Sequence, residues 1–261
     1  MNIFSRARIR YILHRHAIPH GLWLDNVESS ALFQGMTAVE KAHLRELGTL
    51  FLYEKNFVGA QGLQLTDGMR VGIAAQACLP VLRLGFKRLA GWTDVIVYPG
   101  PFRVNRDSVD AAGVVHRRER VLSGESWSHG PIIVSWADVE QEMRAPQQGR
   151  NVVIHEIAHK LDGLNGRGNG FPPLHADMSI PRWTAVLTAA YESLNLELEQ
   201  GLQVFIDPYA ATSPAEFFAV ISEYFFCSPQ TLQTHYAEVY RQLELYYRQN
   251  PVSRFKSMIQ L

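Results

Sequence analysis

Two histidines four residues apart, with a glutamate directly after the first, restrict what this chain can fold into more than any other feature. The run reads Asn151-Val-Val-Ile-His155-Glu156-Ile-Ala-His159-Lys-Leu-Asp162. On an α-helix, positions i and i+4 lie on one face with Cβ atoms about 5–6 Å apart. Two imidazoles so placed reach a single Zn²⁺ at about 2.0–2.1 Å per nitrogen. Glu156 sits about 100° further round the helix, wrong for a ligand on the same face. It is well placed to reach a water beside the metal, where hydrolysis needs a general base. Val152, Val153, Ile154, Ile157, Ala158 and Leu161 surround the pair, so the helix is expected to be buried, starting at Arg150-Asn151 and stopping at Gly163. The plainer alternative, a buried helix with two core histidines, leaves two imidazoles in need of polar partners.

A catalytic zinc wants three protein ligands and one open position, so a third group must come from elsewhere. The richest source is Asp207-Pro-Tyr209-Ala-Ala-Thr-Ser213-Pro-Ala-Glu216-Phe-Phe-Ala-Val-Ile-Ser-Glu223-Tyr-Phe-Phe. Ser213-Pro214 reads as the N-cap and first residue of a helix. Glu216 and Glu223, seven apart, fall on one stripe of an apolar helix, where a carboxylate needs a cation or several donors. Ser213-x-x-Glu216 is also a capping box, in which the glutamate would bond back to the N-cap amide. Spacing alone leaves Glu216 and Glu223 level, with His175 and Asp177 as weaker rivals.

The remaining chain sets the frame. Its 261 residues, 47% hydrophobic and 19% charged, suit an ordinary globular protein with a sizeable core. With 25 basic and 25 acidic residues, no global field favours nucleic acid or an anionic membrane; Arg6, Arg8 and Arg10 read as a solvated arm. Cys78 and Cys227 stand alone in apolar settings, which excludes a disulfide framework and a thiolate-rich structural zinc site. No apolar run approaches a membrane span, and arginines interrupt any signal-peptide core at the start, so the expected location is the cytoplasm.

Along the chain, residues 1–20 read as a flexible or frayed arm. Leu22–Ser30 and Leu32–Phe57 read as helical, the second with a capping-box signal at Thr37 and Glu40. A further apolar helix lies within 69–90, interrupted near Pro80. Strands are expected at Asp94–Tyr98, Val114–Ser123 and Gly130–Trp136, the last two joined by residues 124–129. The third strand, on the rim of the cleft, is either a core strand or one that pairs with an extended peptide. The glycine-rich stretch 163–170 follows a helix and not a strand, so a phosphate loop is excluded and a mobile loop beside the cleft expected. Residues 181–200 form a helix with Trp183, Val186, Leu187, Ala190 and Leu194 inward.

Taken together, the His155–Asp162 run, Asp207-x-Tyr209-Ala-Ala-x-x-Pro-Ala-Glu216 and Ser222-Glu-Tyr-Phe-Phe resemble the Mlc titration factor A family of bacterial zinc metallopeptidases. Leu79-Pro-Val-Leu, Val97-Tyr-Pro-Gly-Pro-Phe and Ser123-Gly-Glu-Ser-Trp with Gly130-Pro extend the likeness over nearly the whole chain. The resemblance implies a gluzincin related to the anthrax lethal factor catalytic domain. It implies one Zn²⁺ on His155, His159 and Glu216, with Glu156 as general base and Tyr209 as oxyanion donor. Glu223 and Asp162 become candidates to orient the outer nitrogens of the histidines. The implied fold is α+β: a zincin-like core over 91–261, with a small twisted sheet and the active-site helix, and a mostly helical part over 1–90. The implied function is a peptidase, aminopeptidase-like, that also binds the transcriptional repressor Mlc and regulates the sugar phosphotransferase system. Partners are then a peptide substrate and that repressor, with no nucleic acid bound directly and no membrane. A mainly repressor-titrating protein with little turnover is the alternative, and a metal-stabilised domain without turnover a weaker third.

Overall fold

The structure, a computed structural model, describes residues 3–109, 115–122, 124–126, 130–144 and 149–254. It is an α+β arrangement of helices and six strands among those residues. The first part holds α1 (Ile3–Arg15), α2 (His20–Trp23), α3 (Ala38–Glu54), β1 (Asn56–Gly59) and α4 (Asp67–Cys78). Next come β2 (Asp94–Tyr98), β3 (Phe102–Val109), β4 (Val115–Leu122), β5 (Gly124–Ser126), β6 (Ile132–Ser135) and α5 (Trp136–Arg144). The chain ends with α6 (Val152–Asp162), α7 (Ile180–Glu199), α8 (Pro214–Cys227), α9 (Pro229–His235) and α10 (Ala237–Tyr247). No helix among the described residues is long and apolar enough to cross a membrane.

Four strands form one sheet in the order β1-β2-β6-β5. The first three run parallel, and β5 is added antiparallel to β6. Val95, Val97, Ile132 and Val134 are fully buried, the one-face alternation of a strand period of two. Among the described residues β3 and β4 pair only with each other, in register from Phe102–Leu122 to Val109–Val115. Helix α6 is the hub: it packs on β5 and β6 and against α4, α5 and α8. Lys160, 2% exposed, ties it to the sheet by donating to the Gly130 carbonyl at 2.7 Å. Helix α8 is apolar nearly all round, with Phe217, Phe218, Val220, Ile221, Phe225 and Phe226 buried. Each such side chain contributes about 1.5–3 kcal/mol on leaving water, which fixes α8 against α6.

Several sequence expectations change. The first twenty residues are not a free arm: α1 packs on α3, with Ile12 fully buried. A π-turn at Leu24–Glu28 and a 3-10 turn at Ala31–Phe33 break the expected N-terminal helices, and α3 begins only at Ala38. Its start carries the expected capping box: the Glu40 amide donates to Thr37 Oγ1 at 3.2 Å, and Glu40 Oε2 accepts from the Thr37 amide at 3.1 Å. Phe57 belongs to strand β1, which was expected to be helix. Residues 124–126 pair as β5 where a connector was expected. Of the expected strand Val114–Ser123 and the connector after it, Val114, Ser123 and residues 127–129 lie outside the described residues. The 130–136 segment supplies β6, paired on both sides, so it has no edge left for a peptide; among the described residues the edges are β1 and β5.

The 163–170 loop, expected to be mobile, is anchored where it returns. The Gly170 amide donates to Asp162 Oδ2 at 2.7 Å, and Asn165 Nδ2 donates to the Phe171 carbonyl at 2.7 Å. Gly170 has φ +77°, and a Cβ there would overlap the Pro214 carbonyl oxygen at the start of α8. Gly166 has φ +78° with open space around it. Gly166→Ala is therefore expected to cost about 1–2 kcal/mol, the left-handed penalty alone, and Gly170→Ala clearly more. Urea midpoints at constant slope measure both; equal shifts would mean that the close approach to Pro214 carries no weight.

Candidate metal centre

Helix α6 is set in place at its first turn. Asn151 caps it, its Oδ1 accepting from the Ile154 amide at 2.9 Å. The Asn151 amide donates to Glu223 Oε2 at 2.6 Å, and the Val152 amide to Glu142 Oε2 at 2.7 Å. Amides that a helix leaves without intrahelical partners are thus taken by carboxylates from α8 and α5. One turn on, the Glu223 carboxylate also meets His155: Oε1 lies 2.7 Å from Nδ1. That contact assigns the proton to Nδ1 and leaves the Nε2 lone pair facing the other way.

It faces His159 and Glu216. The Nε2 atoms of the two histidines are 3.1 Å apart, and Glu216 Oε2 lies 3.1 Å from His155 Nε2 and 3.3 Å from His159 Nε2. Bonds of about 2.0–2.1 Å at a tetrahedral angle place ligand atoms about 3.3 Å apart. The triangle therefore fits a small divalent cation at its centre, with two nitrogens and one carboxylate oxygen as donors. Ser213 caps α8 by accepting from the Glu216 amide at 3.2 Å, while the Glu216 carboxylate turns to the imidazoles rather than back to the cap. The level choice between the two glutamates is divided by geometry: Glu216 Oε2 joins the triangle, and Glu223 holds the outer nitrogen of His155.

Electrostatics follow the contacts. Burial raises the Glu216 carboxyl, but hydrogen bonds from His155 and His159 outweigh it and hold the group far below the usual carboxylate range. Burial opposes a charge on His155; Glu223 and Glu216 beside it override this and raise its affinity for a proton. His159 goes the other way, depressed by burial and by its charged neighbour His155. Behind the triangle, burial pushes Glu142 up to about 8, with Glu223 adding to the shift and the Val152 amide opposing it.

The other expected site residues fall as follows. Glu156 is buried, 1% exposed, on the side of α6 that carries Lys160. Tyr209 lies on a 3-10 turn, Pro208–Thr212, that packs on α8. Its amide is held by Asp207 Oδ1 at 2.9 Å, and its ring is 6.2 Å from that of His155. Asp162 is pushed up to about 6 by burial against three loop amides, those of Gly170, Phe171 and Asn169, so it holds the loop; none of its described bonds reaches a histidine. His175 is spent on the Tyr246 carbonyl at 2.8 Å, and Asp177 on Arg248. Glu142 and Gln76 escaped the sequence reading. For Gln76 a signal existed: a lone amide inside the apolar run Val71–Leu79 needs a buried partner.

Glu216→Ala is expected to lose stoichiometric metal on purification, whereas Glu223→Ala retains it with affinity lowered about 10–100-fold. Metal analysis and chelator competition read this; loss of metal in Glu223→Ala alone would reverse the assignment.

Comparison with known proteins bears on the same residues. The chain is 39% identical over 237 residues to Mlc titration factor A of Salmonella choleraesuis strain SC-B67, covering 89% of this chain and 88% of the relative. It is 40% identical over 220 residues to Mlc titration factor A of Yersinia pestis strain Pestoides F, 83% and 80% of the two chains. With the protein of that name from Klebsiella pneumoniae strain 342 it shares 38% identity over 85% and 83%. The family model described as glucose-regulated metallo-peptidase M90 matches residues 4–248, which include every residue of the triangle. The chain belongs to that metallopeptidase family.

Proposed function

We propose that the chain is a zinc-dependent peptidase of the gluzincin kind, aminopeptidase-like, working in the cytoplasm on a zincin-like core. The observation that carries this is the triangle of His155 Nε2, His159 Nε2 and Glu216 Oε2, with edges of 3.1–3.3 Å. His155, His159 and Glu216 would hold a Zn²⁺ there, which would supply Lewis acidity toward a carbonyl and lower the pKa of a water toward ~7. Glu156 takes the water's proton on its carboxylate and delivers it to the leaving amine nitrogen. The Tyr209 hydroxyl donates a hydrogen bond to the oxyanion that develops on the substrate. Glu223 keeps the His155 proton on Nδ1 and thereby the lone pair on Nε2. An extended peptide pairs with the edge of β5, beside the metal helix.

Glu156→Gln is expected to keep its metal and lose turnover by about 10²–10⁴-fold. Metal content and hydrolysis of an aminoacyl chromogenic substrate, measured on the same preparation, check this. Wild-type rates in the variant would remove Glu156 as the base. Chelation should abolish hydrolysis by the wild type and added Zn²⁺ restore it.

A second reading is favoured by the name that the relatives carry: the chain binds the repressor Mlc and so regulates transcription. A pull-down with Mlc, compared between wild type and His155→Ala, separates the two activities. Equal capture by both shows that repressor binding and the metal centre are independent.

A further inference from the structure

We infer that Gln76, on α4, is a positioning residue for the metal ligand His155, acting through Asn151 and Glu223. The inference rests on the reading of the triangle as a metal centre. Gln76 and Asn151 are fully buried and Glu223 is 6% exposed, so none of the three finds bulk water as a substitute partner. Gln76 Nε2 donates to the Gly72 carbonyl of its own helix at 3.3 Å, which turns Oε1 outward; Oε1 accepts from Asn151 Nδ2 at 2.6 Å. The chain of bonds continues from the Asn151 amide to Glu223 Oε2 at 2.6 Å, and from Glu223 Oε1 to His155 Nδ1 at 2.7 Å.

Asn151 is the pivot. Its Oδ1 is committed to the Ile154 amide, so its side chain satisfies both ends only in the orientation that Gln76 accepts. Held at both ends by its side chain, Asn151 keeps its place, and from that place its own N–H meets the Glu223 carboxylate. The surroundings of Gln76 are apolar: Ile73, Ala74, Ala75, Ala77 and Cys78 are all fully buried. An amide in such a place is costly unless bonded, and here its bond leads, through two residues, to a ligand histidine. Partners beyond the ligands fix imidazole orientation and metal affinity. Helix α4 thus enters the site through a residue outside the triangle.

The test uses the full chain with Zn²⁺ and Co²⁺ as probes. Gln76→Leu removes the acceptor. Gln76→Glu keeps it, because a carboxyl buried there stays protonated; its carbonyl oxygen accepts from Asn151 and its hydroxyl donates to the Gly72 carbonyl. Gln76→Leu is expected to weaken Zn²⁺ about tenfold in chelator competition and to alter the visible spectrum of the Co²⁺ form, with Gln76→Glu close to wild type. Should Gln76→Leu fail to fold, Asn151→Ser keeps a capping oxygen but has no amide to reach Gln76, and is expected to show the same weakening. Wild-type metal affinity and spectrum in Gln76→Leu or in Asn151→Ser, whatever the fall in melting temperature, would overturn the inference and leave the metal centre standing. A wild type that takes up neither metal would overturn the reading beneath it as well.

Discussion

Three electron-rich atoms gathered within 3.3 Å of one another repel unless a cation or a shared proton lies among them. That constraint explains why so much of the protein is built around α6. The two imidazoles come from one helix, where four-residue spacing supplies their proximity. The carboxylate comes from α8, whose wall of buried phenylalanines holds it against α6. The same α8 supplies Glu223 seven residues later, so one helix delivers both a donor to the triangle and the group that orients His155. Glu142 from α5 completes the clamp at the first turn of α6. Both carboxyl groups that meet the histidines thus come from α8, and the amides of Asn151 and Val152 take one oxygen each of Glu223 and Glu142.

The sheet plays a different part. Three parallel strands and one short antiparallel edge make a floor for α6, and Lys160 fastens that floor to the helix at Gly130. Lys160 passes close to the Trp92 ring, which also lies 3.7 Å from the Lys55 ammonium. Lys55 in turn donates to the Leu89 and Trp92 carbonyls at 2.6 Å. Two buried ammonium groups over one indole are tolerated because backbone oxygens and a π face replace water around them. Burial still lowers both to about 8.

How far the sequence reveals this depends on the kind of signal. The helix carrying His155 and His159, the Ser213-Pro214 start of α8 and the Thr37 capping box are local patterns, each read from a few neighbouring residues, and each is present. What hid was non-local. Helix α1 looks like a solvated arm because its arginines are exposed; only packing against α3 reveals that Ile12 is covered. Strand β1 is four residues long and follows a strong helix, so its identity comes from pairing with β2. Spacing leaves the third corner of the triangle level because both glutamates share a stripe; in the fold, the Glu216 carboxylate turns away from its own cap to the imidazoles. Gln76 and Glu142 act on residues 75 and 10 positions away, contacts that no periodicity encodes.

Neither cysteine belongs to the triangle. Cys78 and Cys227 are buried, and burial pushes both thiols up, away from the reactive thiolate form. The triangle offers only nitrogen and oxygen. Oxidants that convert thiolates to disulfides or sulfenic acids find nothing to attack at the centre, and thiophilic ions such as mercury gain no sulfur there. The donor set itself carries no group that the thiol–disulfide balance of the surroundings changes.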